Sequence, residues 1–154
     1  PFQRLLGLVE QPHVLDRDHG LVGEGLHQRD LVRLERPRVA PVEANHAELV
    51  IKNRRAVHNH IGTLHAIAVC NGLEAAMGLL AEATTPKDRR WIPKGMQVSY
   101  LAKSTTDLLC IAETDPADWA QLGDVPVRVR AVRTDGTVVV DGIITIYVSE
   151  RPAR

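Results

Sequence analysis

Residues 59–78 run NHIGTLHAIAVCNGLEAAMG. Polar residues, a glycine and two histidines open the stretch. From Leu64 it turns almost wholly apolar, with one carboxylate, Glu74, inside the apolar part. The run continues to Ala83. Its length, its alanines and its lack of proline predict a helix over Thr63 or Leu64 to Ala83 rather than a strand. Thr63 is the expected N-cap, and Thr84-Thr85-Pro86 is the stop signal. Leu64, Ile67, Val69, Leu73, Met77, Leu79 and Leu80 fall on nearly all sides, the pattern of an enclosed helix. Glu74, set among alanines, leucines and a methionine, is expected to be partly desolvated, which would raise its pKa toward a general-base range. Asn71, one turn before it, is placed to donate it a hydrogen bond.

Outward from that helix the pattern is β. Upstream, RPRVAPVEANHAELVIKN predicts a strand over 36–42, a turn at Glu43–His46 and a strand over Ala47–Ile51. Pro37 and Pro41 confine the first of these to an edge or keep it short. Downstream, Gly95–Lys103, Asp107–Thr114, Val125–Arg133 and Thr137–Glu150 read as four strands, with a turn-rich excursion at Asp115–Asp124. Asp135-Gly136 is a strong hairpin signal, and Gly142 marks a bulge or a close approach inside the last strand. Tyr100 is assigned to the core, and Trp91 and Trp119 to interfaces. The architecture is α+β, an antiparallel sheet wrapped around one long central helix. A second subunit is the economical cover for the helix face the sheet leaves open.

The 154 residues suffice for one domain. Residues 36–150 form it, and residues 1–35 are a poorly defined segment without sustained periodicity. The net charge is +0, which argues against a nucleic-acid footprint over the whole surface. Aromatics at 3% leave little for base stacking. Cys70 and Cys110 lie in apolar runs, where cysteine acts as a small hydrophobe. They suggest a reducing, cytoplasmic setting. No stretch reaches roughly 18 consecutive apolar residues, so no membrane partner is expected. His58 and His60, with His65, could be read as metal ligands, but the three would need an unusual turn; no metal and no cofactor is expected.

Asn59-x-x-Gly62-Thr63-Leu64-His65, with the order of elements, resembles the hotdog fold of acyl-CoA thioesterases. The pattern is similar to the phenylacetyl-CoA thioesterase-like branch: an asparagine, a glycine, a histidine at the helix start, and an acid nine positions after the histidine. Here Asn59 stands six before His65 and Glu74 nine after it. The block from His58 through Tyr100, including RWIPKGMQVSYLAK, resembles an uncharacterised bacterial branch of that superfamily. The likeness covers about residues 36 to 150. It departs at Ala66-Ile67, where two glycines are usual, and at Pro93, near a position where some relatives carry serine.

The resemblance implies hydrolysis of an acyl-CoA thioester. Glu74 would be the general base or nucleophile, Asn59 would hold the carbonyl or the water, and His65 would shape the helix entrance. The Ala66 N–H would polarise the carbonyl oxygen, since the first N–H groups of a helix lack partners and face developing negative charge. Gly62, Thr63, Asn71 and Gly78 would line the substrate, Gly78 leaving space beside Glu74 for an acyl chain. Arg54, Arg55, Arg89, Arg90, Lys94 and Lys103 are candidates for the phosphates of coenzyme A. At about 100° and about 1.5 Å per residue, His65 and Glu74 point to opposite sides of one helix, roughly 13 Å apart along it. If both serve one site, two copies of the chain supply it, in a homodimer or a dimer of dimers. The alternative is a hotdog protein that binds an acyl thioester, or assembles, without turnover; Glu74 would then be a structural carboxylate at the interface.

Overall fold

The computed structural model describes residues 42–152. The apolar run forms α1, Ala66–Thr84. Upstream lies β1, His46–Ile51; downstream lie β2, Arg89–Tyr100, β3, Leu108–Glu113, β4, Gly123–Arg133, and β5, Val138–Glu150. They form one five-stranded sheet in the order β1-β3-β4-β5-β2, every neighbouring pair antiparallel. The strand predicted over 36–42 lies, except for Val42, outside the described residues, as does the 1–35 segment. The turn at Glu43–His46 is present, closed by reciprocal backbone bonds between those two residues, with Asn45 at φ 69. Asp135-Gly136 turns the β4–β5 hairpin.

One stripe of α1 packs on the sheet. Val69, Leu73, Ala76, Met77 and Leu80 are at most 1% exposed, as are Leu49, Ile51, Leu108, Val127, Ile144 and Ile146 beneath them. Gly72 lets the helix come down close. A Cβ there would lie 2.7 Å from Ile51 Cγ1 and 3.0 Å from Cys110 Sγ. Gly142 answers the close approach expected of it, since a Cβ would lie 2.7 Å from Val98 Cα and closer still to the Gln97 carbonyl. At the far end Trp119 is buried, its indole N–H donating to Thr114 Oγ1 at 3.0 Å. It packs in the core and not at an interface.

By length and composition α1 could cross a membrane. Its mean hydropathy reaches that level although Asn71, Glu74 and Glu82 interrupt the apolar run. With its apolar stripe packed on the sheet, it is the core helix of this fold.

Two expectations are corrected here. The helix is not enclosed: Ile67 is 57% exposed, and Glu74 also faces outward. The sheet covers one side only, because α1 lies over β1 and β3 and only touches β4 and β5. Tyr100 is not core either. It is 57% exposed, on a β2 that has no fully buried residue. An edge strand that α1 meets through a few side chains and does not pack over leaves none of its apolar residues fully buried.

Candidate active site at the open face of the helix

The motif residues build the entrance to α1. Asn59 organises the turn before it. Its side-chain oxygen accepts from the N–H groups of Ile61 and Thr63, both at 3.1 Å, and its amide donates to Thr63 Oγ1 at 2.9 Å. Gly62 sits in that turn at φ 77, a left-handed conformation that glycine adopts without steric cost. Thr63 is thereby held by Asn59 and does not cap the helix. The N-cap is His65, whose Nδ1 accepts from the Ile67 N–H at 3.2 Å. That bond puts the neutral ring's proton on Nε2. Asn59 sets the turn and the turn delivers His65. Among the described residues the Ala66 N–H has no hydrogen-bond partner, as the first turn of a helix requires.

Glu74 lies elsewhere. It lines an open cavity of about 270 Å³ with Pro93, Lys94, Gly95, Met96 and Ile144. The β2–β5 register shifts between Pro93 and Gly95, so the strand bulges where it faces the acid. None of Asn59, Gly62, Thr63, His65 and Ala66 lines this cavity. Within one chain the two halves of the motif therefore remain apart. Asn71 forms no hydrogen bond with Glu74 among the described residues, and Glu74 is exposed rather than desolvated in the single chain.

Cys70, Glu74 and Gly78 stand four residues apart and share one stripe of α1. Each meets β2. Cys70 Sγ lies 3.2 Å from the Tyr100 hydroxyl. That bond, with partial burial, pushes the phenol up to about 12. A Cβ on Gly78 would lie 3.7 Å from the Trp91 ring, and the Trp91 indole donates to Glu82 Oε1 at 3.1 Å. The residue spacing within α1 was visible in the sequence; the partners on β2 were not. Cys110 is deeply buried, and burial pushes its thiol up to about 12.

Of the basic residues, Lys94 is held by Asp124 at 2.5 Å and lies 5.9 Å from the Tyr147 ring centre. Arg89 donates to the Trp119 carbonyl and Arg90 to Ser149. His58 bonds Asn53 through its ring. Among the described residues no group of three or more His, Cys, Asp or Glu is placed to hold a metal. A larger depression, about 450 Å³, lies on the opposite face of the sheet among Gln97, Arg128, Arg130 and Asp141. It shares no residue with the motif, so the smaller cavity at Glu74 is the better candidate for chemistry.

A single antiparallel sheet around one long helix is the hotdog fold, and solved structures share it. One is a structural-genomics protein, APC5556, at 43% identity and TM-score 0.71, covering 75% of this chain and 78% of that one. A Pseudomonas aeruginosa protein of unknown function, described as a probable thioesterase, matches at 18% identity and TM-score 0.69 over 82% of this chain and 98% of its own. A Streptococcus mutans protein solved with acetyl-CoA matches at 15% identity and TM-score 0.66 over 78% and 94%. No functionally curated protein matches. The class is thus that of hotdog-fold proteins. Within it, the chain belongs to the family described as domain of unknown function DUF4442, whose profile matches residues 34–148.

Proposed function

We propose that the protein hydrolyses acyl-CoA thioesters at a site that two copies of the chain complete, with Glu74 as general base. The observation that carries this is the position of Glu74. It is an exposed carboxylate on the core helix, and it faces a cavity whose other wall is an edge strand without a fully buried residue. Among the described residues β2 has a neighbour on one side only, which leaves its outer edge open for pairing, and a second copy placed there would cover the cavity. It would also bring the Ala66 N–H of one chain toward the Glu74 of the other. The acetyl-CoA bound to the Streptococcus mutans protein supports this ligand class.

Glu74 takes a proton from water, and the oxygen attacks the thioester carbonyl carbon. The carbonyl oxygen becomes an oxyanion facing the Ala66 N–H at the positive end of the helix. The intermediate collapses, the carbon–sulfur bond breaks, and the thiolate leaves with the proton Glu74 had taken. Products are the free acid and coenzyme A. His65 holds the helix end in place, and the Asn59 turn holds His65.

Binding without turnover is favoured by two features. Both ends of the Asn59 amide are already engaged within its own turn, and Ala66-Ile67 bring side chains where glycine would leave room. Hydrolysis of an acyl-CoA panel decides. Glu74→Gln should lower kcat by about 10²-fold or more while the variant stays folded. Unchanged turnover in both Glu74→Gln and Glu74→Ala rejects Glu74 as the base. Tight binding without turnover in the wild type selects the second reading.

A further inference from the structure

We infer that Asn53 and His58 are a positioning pair that locks the entrance of α1 and so orients the Ala66 N–H for the reaction. This rests on the proposed hydrolysis and adds to it the residues that aim its oxyanion donor.

The His58 ring is bonded through Nε2 to the Asn53 side-chain oxygen. Asn53 Nδ2 donates to the Thr105 carbonyl at 2.7 Å, so both ends of the carboxamide are used. With its nitrogen given to a carbonyl, its oxygen must accept, and His58 Nε2 carries the proton. The backbone closes the circuit. The His65 N–H donates to the Val57 carbonyl, and the Asn59 N–H to the Thr63 carbonyl, both at 2.8 Å. Those two bonds set His58 opposite Leu64. The Leu64 N–H donates in turn to the Ser104 carbonyl at 3.0 Å, beside Thr105. Asn53, His58, Leu64, Ser104 and Thr105 thus form one ring of contacts, and Ala66 follows two residues after Leu64.

The base of that ring is fixed. Arg133, at the end of β4, donates to the Lys103 carbonyl at 3.4 Å and to Thr105 Oγ1 at 3.3 Å. Asp107 accepts the Asn53 N–H at 2.8 Å. The 103–107 loop is therefore tied to β4 and to the end of β1, and Asn53 and His58 tie the helix entrance to the loop. The Ala66 N–H has no partner among the described residues, so its aim follows from the chain that leads into the helix. Asparagine suits position 53 because it supplies a donor and an acceptor together. Aspartate there would set a carboxylate against the Thr105 carbonyl.

The test is steady-state kinetics on the full chain, with the acyl-CoA that wild type turns over fastest between acetyl and palmitoyl, beside amide exchange read by NMR. Asn53→Ala, Asn53→Asp and His58→Ala should each lower kcat about tenfold or more and leave KM within about twofold, as for a donor misplaced without loss of binding. His58→Gln, whose Nε2 can donate to Asn53 from nearly the same place, should recover most of that loss. In Asn53→Ala the Leu64 and His65 amides should exchange about tenfold faster, and the Leu73 amide in the core at the wild-type rate. His58→Ala serves for exchange if Asn53→Ala does not fold. Unchanged kcat in these variants, or a loss that His58→Gln does not recover, overturns the pair. If wild type turns over no substrate, the hydrolase reading fails by itself, and exchange alone judges the pair. Unchanged exchange at Leu64 and His65, or equal acceleration at Leu73, then overturns it.

Discussion

Two stripes of one helix behave as opposites. Gly72, Leu73, Ala76, Met77 and Leu80 face β1 and β3 and are sealed. Cys70, Glu74 and Gly78 face β2 across an open cavity. Both stripes contain small residues, but for different reasons. On the sealed side Gly72 removes bulk so that two elements touch. On the open side Gly78 lies beside the Trp91 ring, where a methyl would make only ordinary contact, and near it a carboxylate stands without packing around it. The difference teaches that an apolar helix is not uniformly core. Apolar residues were placed on both faces, and only the reach of the sheet sorted them.

The contrast breaks most sharply through Leu73 and Glu74, neighbours in sequence on the two stripes. Leu73→Ala should cost about 2–5 kcal/mol by leaving a cavity in the core. Glu74→Ala should stay within about 0.5 kcal/mol, as for exposed sites without structural partners. Urea unfolding of both, followed by circular dichroism, measures the gap; equal losses would mean that Glu74 is a structural residue.

The two glycines give the next effect, with opposite signs. Gly72→Ala pushes a methyl into Ile51 and Cys110, and overpacking of that kind costs about 1–3 kcal/mol. Gly78→Ala meets only ordinary contact with Trp91 and gains helix propensity, up to about 1 kcal/mol. The thermal midpoint should fall for the first and hold or rise for the second.

The smallest effect sharpens the sealed side. Asp107 ties the end of β1 to the start of β3. It accepts from Lys52 Nζ at 2.6 Å and from the Asn53 N–H at 2.8 Å, and these bonds hold its carboxyl below the usual carboxylate range. Its stabilising contribution is full above the unfolded value near pH 4 and is lost as pH falls through the depressed folded value. Asp107→Asn should therefore lower stability at neutral pH modestly and leave a shallower fall below about pH 4. Parallel acid-unfolding curves for wild type and variant would remove Asp107 from that role.

Much of the fold was legible in residue order. Alanine-rich, proline-free sequence up to Thr84-Thr85-Pro86 announces a helix of the observed extent. Alternation with Asp135-Gly136 announces β4 and β5, and Gly142 announces the strand that presses against it. The start of β2 at Arg89 was missed because Arg-Arg-Trp-Ile-Pro-Lys carries neither clean alternation nor a turn signal. Thr63 looked like a cap because Thr is a common one. Asn59 engages its hydroxyl and its N–H, and the cap passes to His65. Of the candidate site, the spacing of Asn59, Gly62, His65 and Glu74 was legible. Tyr100 and Trp91 were not, since each lies distant in sequence from the helix position it meets.

By itself the sequence determined which segments are helix and which are strand, and that one acid rides on the long helix. Those are local matters, set by period, propensity and punctuation. Which side of the helix is sealed, and what stands opposite Glu74, was decided only by the strand order β1-β3-β4-β5-β2. That order seats the helix over β1 and β3 and leaves β2 at the far edge, met through side chains such as Cys70 and Glu82, and no local pattern in β2 records how far a neighbouring helix reaches.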